Sequence, residues 1–408
     1  MKKYDVIIVG GGIVGASLAY ALKDLPLKIA MVEAFPSQQK LQKDFDARSI
    51  ALSFGSYRIF ETLNLWSSIA AHAEPIKEIH ISDRGRFGAT RFNAKEKNLS
   101  AFGYLVELQD LMNVLYDACR SASHIDWFCP ARCEKVVLEQ PNSTIYLDTP
   151  EGEVILSAAL IVGADGTQST LRKLVEIKTQ EWSYPHSAIV ANVGLKRSHE
   201  QKAFERFADE GAVALLPMQN QRAALIWNVK QELVHEWLAL SDADFLKRLQ
   251  TVFGYRLGRL THVGKRSAFP LKMVKAQESV RTGLVLIGNA SHTLHPIAGQ
   301  GFNLGLRDVA TLAEVIAEGL KNQELLGDLK LLNRYQSRRD SDQKKMIAFT
   351  DGLTRIFHQH WLPVALLRDL GLLGIDIFPP LKKTLMQHTM GMGGQLSYLT
   401  SGLPLTEI

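Results

Sequence analysis

Cysteine is scarce in this sequence, and neither sign of charge dominates it. The 408 residues include three cysteines, Cys119, Cys129 and Cys133, which are too few and too unevenly spaced for a disulfide framework. The formal net charge is only +5, whereas dedicated nucleic-acid-binding domains carry a stronger excess of basic residues. We therefore expect a protein of a reducing compartment that has no nucleic-acid partner.

Long apolar runs are lacking as well. The best candidate for a membrane span, residues 362–378, is interrupted by Arg368 and by two aspartates. The N-terminal apolar run contains Asp5 and leads into a glycine cluster, unlike a secretory signal. We expect a cytoplasmic protein, and a peripheral contact with the inner face of a membrane stays open. The basic stretch after residue 338 suits either that contact or ordinary packing on the rest of the chain.

The chain does contain enough apolar sequence for a large core. Apolar residues make up 46% of it and charged residues 22%, which is typical of a globular protein, and the length predicts two or three domains. Residues 4–9 form a short β-branched run that predicts a buried parallel strand. A glycine cluster, a helical pattern over 13–24 and a second strand over 27–32 follow, which together predict a βαβ unit.

Further strand patterns at 154–162 and 283–287 predict more members of the same parallel sheet. Between about residues 179 and 265, short apolar runs alternate with polar turns, which favours a separate antiparallel sheet. Helical patterns occupy residues 105–120, 242–253 and 302–320. The predicted fold class is therefore α/β, with a discontinuous Rossmann-like domain, an inserted and mainly antiparallel β-sheet, and a helical C-terminus.

The first motif that carries chemistry is Gly10-x-Gly12-x-x-Gly15, followed by Glu33. Gly10 allows a tight turn, Gly12 lets the backbone approach a pyrophosphate, and Gly15 permits close packing of helix on strand. The helix N-terminus adds N–H groups and partial positive charge. Glu33 follows the second strand, where a carboxylate can accept both ribose hydroxyls. The motif predicts binding of NAD or FAD rather than NADP, and an incidental glycine-rich turn is the alternative.

Two more glycine motifs follow in the chain. Residues 163–166 read Gly-Ala-Asp-Gly, and residues 288–303 run from Gly-Asn to a glycine-rich entry into a helix. With the three motifs in this order, the chain resembles the class A flavoprotein monooxygenases, the para-hydroxybenzoate hydroxylase-like family. The resemblance covers at least residues 1–320. The segments that most resemble the ubiquinone-biosynthesis branch of this family are 46–52, 81–85 and 295–308.

The resemblance implies that the third motif holds the flavin ring. A glycine-rich loop that enters a helix at Phe302 would direct N–H groups and the positive helix end at the reduced, anionic flavin. Gly299 and Gly301 would leave room for the ring. Where the family has an aspartate that bonds a ribityl hydroxyl, this sequence has Asn289, which can also bond a hydroxyl. An ordinary glycine-rich helix cap is the alternative.

The resemblance spreads further flavin contacts over the chain. Arg48 and Gln109 would contact the flavin, although either can be an ordinary surface residue. Asp165 would contact the FAD, and its alternative role is to cap the next helix. The predicted cofactor-binding residues are Gly10, Gly12, Gly15, Glu33, Arg48, Gln109, Asp165, Gly166, Gly288, Asn289, Gly299, Gly301, Phe302 and Asn303.

Catalytic residues are harder to assign, because no acid–base pair stands out. The backbone at His295 and Pro296, beside the flavin in the resemblance, is our prediction for the group that orients a phenol. A metal site at His292 and His295 is not expected, since no cluster of carboxylates or cysteines accompanies the two histidines. Four residues are candidates either for the pocket wall or for plain core: Leu215, Pro217, Trp227 and Phe269.

The resemblance also implies a reaction. NADH or NADPH would reduce FAD, O2 would add at C4a, and the resulting hydroperoxide would transfer one oxygen to a polyprenylated methoxyphenol. The alternatives are another ubiquinone-ring or aromatic hydroxylation, or a flavin-bound accessory subunit of a complex with other quinone-synthesis proteins. The expected domains are an FAD-binding domain (1–72, 99–178 and 266–347), a substrate domain (73–98 and 179–265) and a C-terminal helical segment (348–408).

Overall fold

Three β-sheets and a set of helices form the described part of the chain. The computed structural model describes residues 1–35, 45–84, 89–209, 211–293, 300–358, 386–387 and 389–408. The strands, in chain order, are β1 (Lys2–Val9), β2 (Ile29–Val32), β3 (Ser49–Ser53), β4 (Ala73–Ile76), β5 (Glu78–Asp83), β6 (Ala89–Asn93), β7 (Gly103–Glu107), β8 (Ile125–Phe128), β9 (Arg132–Val137), β10 (Ser143–Thr149), β11 (Gly152–Gly163), β12 (Thr179–Leu195), β13 (Lys202–Phe207), β14 (Val213–Met218), β15 (Arg222–Lys230), β16 (Leu260–Val263), β17 (Ser267–Ala276), β18 (Val280–Arg281), β19 (Leu284–Leu286) and β20 (His292–Thr293). The helices are α1 (Ile13–Ala21), α2 (Phe54–Thr62), α3 (Trp66–Ala70), α4 (Leu108–Arg120), α5 (Thr170–Leu174), α6 (Val234–Ala239), α7 (Asp242–Phe253), α8 (Gln300–Lys321), α9 (Leu329–His358) and α10 (Tyr398–Ser401).

The first sheet has eight strands and a parallel centre. Strands β19, β11, β1, β2 and β8 pair in parallel in that order. On the outer side of β11, β10 and then β9 add antiparallel strands. The central strands are almost wholly buried, as their continuous apolar runs require. Helices α1, α4 and α8 cover one face. The predicted βαβ unit and parallel sheet are confirmed.

The second sheet has nine strands, in the order β20-β17-β12-β15-β14-β13-β5-β6, with β16 beside β12. The 17-residue strand β12 is central to it, since it pairs antiparallel with β15, β16 and β17. Strand β5 joins β13 in parallel, which adds a much earlier part of the chain to this sheet. Helices α6 and α7 cover one face over a cluster of buried aromatic residues. The predicted antiparallel sheet is confirmed.

Two expectations change in detail. Residues 105–107 were expected in a helix, but this is wrong, because they belong to β7, which pairs with β3 and β4 in a third, three-stranded sheet. Strand β17 lies beyond the predicted domain boundary at residue 265 and yet pairs with β12. We therefore propose the same two domains, with β17 counted in the substrate sheet.

Two long helices pack together after the sheets. Helix α8 buries an apolar stripe against the first sheet, as its sequence predicts. Arg338 of α9 binds Glu314 at 2.8 Å and Glu318 at 2.9 Å on α8. The short helix α10 docks beside them, where the Tyr398 amide donates to Glu314 at 2.7 Å. None of the helices in the described residues is both long and apolar enough to cross a membrane.

Replacing Trp237 by alanine should destabilise the second sheet. Trp237 is fully buried, and its ring meets Trp227 edge-on with the ring centroids 4.1 Å apart. Removal of such a side chain costs about 3–5 kcal/mol, so the thermal midpoint of unfolding should fall by several degrees. Trp182→Ala is the matched control, because Trp182 is 41% exposed, and it should shift the midpoint far less. Equal shifts would contradict the assignment of Trp237 to the core.

Candidate active site

The glycine turn after β1 is defined by two close backbone approaches. Gly10 has a φ of +106°, and a Cβ on it would lie 2.5 Å from the carbonyl carbon of Ala164. A Cβ on Gly15 would lie 1.9 Å from the carbonyl oxygen of Gly10. Both positions therefore require glycine. Gly12 differs, because it precedes α1 and a Cβ there would enter open space. The N-terminus of α1 thus faces a free volume.

Glu33 stands directly after β2, beside this turn. Its Oε2 accepts a hydrogen bond from the Gly11 amide at 2.7 Å, and its Oε1 accepts one from the Phe35 amide at 2.9 Å. Each carboxylate oxygen has further lone-pair capacity. The carboxylate is thereby fixed where the sequence predicts the ribose hydroxyls of a dinucleotide.

The second motif lies against the first. The Ala164 amide donates to the Val9 carbonyl at 2.7 Å. Asp165 accepts from the Leu171 amide through Oδ2 at 3.0 Å, which is the helix-capping role that the sequence left open. Its Oδ1 is buried and has no hydrogen-bond partner among the described residues. Gly166, with a φ of +82°, faces open space.

The third motif reaches the same place from β19. Gly288 has a φ of +56°, and a Cβ on it would lie 3.1 Å from the Val14 side chain on α1. The buried Arg172, which follows the second motif, donates to the Ala290 carbonyl at 2.7 Å. The Asn289 side chain is exposed. All three motifs therefore form one site at the carboxyl ends of β1, β11 and β19, where ligands bind in open α/β sheets.

A buried carboxylate on α8 holds the third motif in place. Asp308 is fully buried, and its Oδ2 accepts from the Gly288 amide at 3.0 Å and from His292 Nε2 at 2.7 Å. Its Oδ1 accepts from Arg339 at 2.7 Å and from Gln343 at 3.1 Å, both on α9. Burial alone would raise the pKa of Asp308, but His292 and Arg339 hold it well below its usual range.

Sequence reasoning missed the role of Asp308, although a signal was present. Leu304, Asp308 and Leu312 are spaced four residues apart on α8, and all are fully buried. Residues at this spacing share one face of a helix. An acidic residue on an apolar stripe predicts a buried ion pair, because an unpaired charge is rarely buried.

The first turn of α8, which contains Gly301 and Phe302, is tied to β3 by Asn303. The Oδ1 of Asn303 accepts from the Ser53 amide at 2.8 Å and from the Ser56 hydroxyl at 2.7 Å. A cofactor contact by Asn303 stays a prediction. These bonds do fix the helix terminus that the sequence assigns to the flavin ring.

Arg48 and Gln109 lie at one edge of the site. The Leu108 amide at the start of α4 donates to the Arg48 carbonyl at 2.7 Å, and Gln109 is the next residue of the helix. The Arg48 guanidinium lies over the Phe269 ring, 5.4 Å from its centroid. Arg48 is exposed and Gln109 is half-buried, so both side chains are accessible to a ligand.

Three predicted site residues, His295, Pro296 and Gly299, lie outside the described residues. The orientation of a phenol by His295 and Pro296 therefore stays a prediction. So does the space that Gly299 was expected to leave for the ring.

The candidates for the pocket wall fall on opposite faces of the second sheet. Leu215 and Trp227 are fully buried beneath α6 and α7. Pro217 is also buried, and it shares their face because side chains alternate along a strand. The wall prediction is therefore wrong for these three. Phe269 is 39% exposed beneath Arg48 and remains a candidate.

The opposite face of the second sheet packs on the third sheet, whose strand β3 is bonded to Asn303 in the first turn of α8. Leu216, Met218 and Ala224 pack on Ala51 of β3 and Leu105 of β7. We call this surface the inner face of the second sheet. Its residues are offset by one position along the strand from Leu215, Pro217 and Trp227, the wall candidates that the sequence suggested.

The residues of the site fit a flavin dinucleotide. Open space at Gly12 leaves room for a pyrophosphate at the N-terminus of α1. Glu33 offers its carboxylate to the ribose. The buried Oδ1 of Asp165 is an acceptor that a bound hydroxyl or water would satisfy. Fold and site together define a dinucleotide-binding protein of Rossmann type.

Known proteins specify the family. The chain belongs to the FAD binding domain family, whose model matches residues 3–350. The predicted FAD cofactor and the predicted family of FAD-dependent monooxygenases are thereby confirmed. Ubiquinone hydroxylase UbiL of Rhodospirillum rubrum is 34% identical over 407 residues, covering 99% of this chain and 94% of that protein.

Two further relatives align over nearly their whole length. The 3-demethoxyubiquinol 3-hydroxylase of Escherichia coli is 29% identical, covering 95% of this chain and 98% of that protein. Human mitochondrial ubiquinone biosynthesis monooxygenase COQ6 is 28% identical, covering 94% of this chain and 92% of that protein. The crystal structure of p-nitrophenol 4-monooxygenase PnpA from Pseudomonas putida shares the fold, with a TM-score of 0.80 at 16% identity, covering 97% of this chain and 100% of that one.

Gly12→Ala should remove the flavin without unfolding the protein. Alanine tolerates the φ of −64° at Gly12, but its methyl group would occupy the volume in front of α1. We expect FAD affinity to fall at least tenfold, measured by reconstitution of the apoprotein, with an unchanged circular dichroism spectrum. Gly352→Ala on α9 is the matched control, since its Cβ also enters open space. Full FAD occupancy in Gly12→Ala would contradict the site.

Asp308→Asn should destabilise the protein strongly, because Arg339 would lose its fully buried counterion and keep only the partly exposed Asp342. Removal of one partner of a buried ion pair costs about 3–5 kcal/mol, read as a lower thermal midpoint at pH 7. Asp340→Asn is the control, since Asp340 pairs with Lys344 on the exposed side of α9. The pKa of Asp308 is lowered by folding, so its stabilisation is complete above pH of about 4 and is lost at lower pH. If the difference in thermal midpoint between the wild type and Asp308→Asn did not change with pH, this account would be contradicted.

Proposed function

We propose that this protein is an FAD-dependent aromatic-ring hydroxylase of ubiquinone biosynthesis. It would insert one oxygen atom of O2 into a polyprenylated methoxyphenol, with NADH or NADPH as the reductant. The main support is that the three glycine motifs meet at the carboxyl ends of β1, β11 and β19. In addition, the inner face of the second sheet packs on β3 and β7, and β3 is bonded to the first turn of α8.

The names of the relatives support the substrate class. The three are named as a ubiquinone hydroxylase, a demethoxyubiquinol hydroxylase and a ubiquinone biosynthesis monooxygenase. Each aligns with at least 94% of this chain. Within that branch, residues 81–85 and 288–308 resemble 2-octaprenyl-6-methoxyphenol hydroxylase, including asparagine at position 289.

The residues of the chain bind and orient the reactants. FAD, when bound, supplies the redox chemistry that activates O2. The N-terminus of α1 at Gly12 binds the pyrophosphate, and Glu33 binds the ribose. The first turn of α8, with Gly301 and Phe302, presents N–H groups to the flavin ring. The inner face of the second sheet and Phe269 exclude water and hold the phenol.

The substrate suggests where the protein works. A polyprenylated phenol resides in a bilayer, so the protein would take it up while bound peripherally at the inner face of a membrane. The stretch from residue 338 onward contains eight Lys or Arg against five Asp and one Glu, which suits an anionic surface or other quinone-synthesis proteins. NAD(P)H would bind transiently, since the sequence carries a single GxGxxG motif.

Two alternatives fit the same fold and cofactor site. The Escherichia coli relative is named for hydroxylation of a demethoxyubiquinol at position 3, which favours another ubiquinone-ring hydroxylation on the same scaffold. A flavin-bound accessory subunit would need the same cofactor contacts and no reaction of its own.

Purified holoprotein should hydroxylate a short-chain prenylated methoxyphenol in aerobic NADPH or NADH. Mass spectrometry should find one added oxygen atom, and that atom should carry the label when ¹⁸O2 is supplied. The ring position would identify the member of the branch. Consumption of NAD(P)H without product would favour another phenol. If NAD(P)H failed to reduce the bound FAD with every phenol tested, the accessory subunit would be favoured. A hydroxylated product without the ¹⁸O label would contradict monooxygenation.

A further inference from the structure

One row of side chains crosses the inner face of the second sheet. Residues in register on paired strands share a face, and the row runs from β17 to β6. Its members, in spatial order, are Ser267, Val190, Ile226, Ala214, Glu205, Ile81 and Thr90. Those from Val190 to Ile81 are partly exposed. Glu205 is thus the single ionisable member of an otherwise apolar or uncharged row.

The row lies next to the flavin site. The neighbouring row, two residues along each strand and therefore about 7 Å away, includes Leu216 and Ala224, which pack on β3 and β7. Asn192 in that neighbouring row donates to the carbonyls of Phe45 at 2.7 Å and Ala47 at 2.8 Å, just before Arg48. Strand β3 is in turn bonded to the first turn of α8 by Asn303. The row of Glu205 is therefore one row beyond this contact.

Apolar residues flank Glu205 on both neighbouring strands. Its direct neighbours across β14 and β5 are Ala214 and Ile81. In the described part of the chain, no hydrogen bond or ion pair reaches its carboxyl group. Burial raises the pKa of Glu205 to about 7. Arg206 and Lys202 lie on the opposite face of β13 because side chains alternate, and Asp83 is the other ionisable residue on this face of β5.

We propose that Glu205 is a catalytic residue that accepts the hydrogen bond of the substrate's phenolic hydroxyl and takes its proton during oxygen transfer. This assignment rests on the proposed hydroxylase function. An acceptor without a partner, on an apolar wall beside the flavin site, suits a ligand that is apolar apart from a hydroxyl donor. A carboxyl group with a pKa near the working pH is also suited to general-base catalysis.

Over the whole reaction, the phenol, O2, NAD(P)H and one proton give the hydroxylated phenol, NAD(P)⁺ and water. In the step assigned to Glu205, the ring carbon forms a bond to one oxygen atom of O2 while the O–O bond breaks, and the other oxygen atom leaves with the electron pair of that bond and becomes water on protonation. The electron pair of the phenolic O–H bond becomes a ring carbonyl, and the proton moves to Glu205. Loss of the proton on the attacked carbon, with return of the proton from Glu205 to the ring oxygen, restores the aromatic ring.

The test compares Glu205→Gln and Glu205→Ala with the wild-type holoenzyme. Gln keeps an acceptor but takes no proton, so kcat for a short-chain prenylated methoxyphenol should fall about 100-fold or more, with KM changed less than about threefold. NAD(P)H oxidation should continue with release of hydrogen peroxide. The wild-type kcat should fall below pH of about 7, where Glu205 becomes protonated, and Glu205→Gln should lack this decline. Glu200→Gln is the control, because Glu200 is exposed and pairs with Lys202.

A second readout needs no turnover. Binding of the same phenol to the oxidised holoprotein can be followed as a perturbation of flavin absorbance. Glu205→Ala should bind it about tenfold more weakly, since a hydrogen bond is lost, and Glu205→Gln should bind nearly as well as wild type. If both variants kept the kcat and the affinity of the wild type, the assignment of Glu205 would be overturned and the proposed function would stand. Failure of the wild type to bind or hydroxylate any phenol would overturn the proposed function, and this assignment with it.

Discussion

A buried carboxylate, that of Asp308, is the interaction on which the site depends. A charge removed from water is unfavourable unless several donors compensate it. Here the donors come from two separate segments: Gly288 and His292 of the third motif, and Arg339 with Gln343 on α9. Because all of them must meet one side chain, the third glycine motif is fixed relative to α8. The same helix begins at the turn assigned to the flavin ring, so the requirement for charge compensation also positions that turn.

The two faces of the second sheet have different roles, one in stability and one in the candidate site. On the outer face, Trp227 packs against Trp237 of α6 and Phe245 of α7, and this packing provides stability. The inner face is less tightly covered and packs on β3 and β7. Because side chains alternate along a strand, each task could be met without compromising the other. A carboxyl group such as that of Glu205 is tolerated on the inner face, whereas on the outer face it would disrupt the core.

Local features of this protein were predictable from the sequence, and long-range ones were not. The βαβ unit follows from apolar periodicity and glycine spacing, and α7 spans the predicted residues 242–253. The pairing of β5 with β13 joins residues more than 100 positions apart, and no local pattern encodes it. The inner face was assigned wrongly because β14 has apolar residues on both faces, so that Leu215 and Leu216 give no sign of which one is covered. Asp308 was recognisable only from its place on a buried stripe.

The most direct test is a crystal structure of the holoprotein with FAD and a prenylated methoxyphenol. We expect the pyrophosphate at the N-terminus of α1 beside Gly12 and the adenosine ribose at Glu33. The flavin ring should lie at the first turn of α8, with the phenolic hydroxyl within hydrogen-bonding distance of Glu205. A flavin ring remote from that turn, or a phenol bound away from the inner face of the second sheet, would contradict this account.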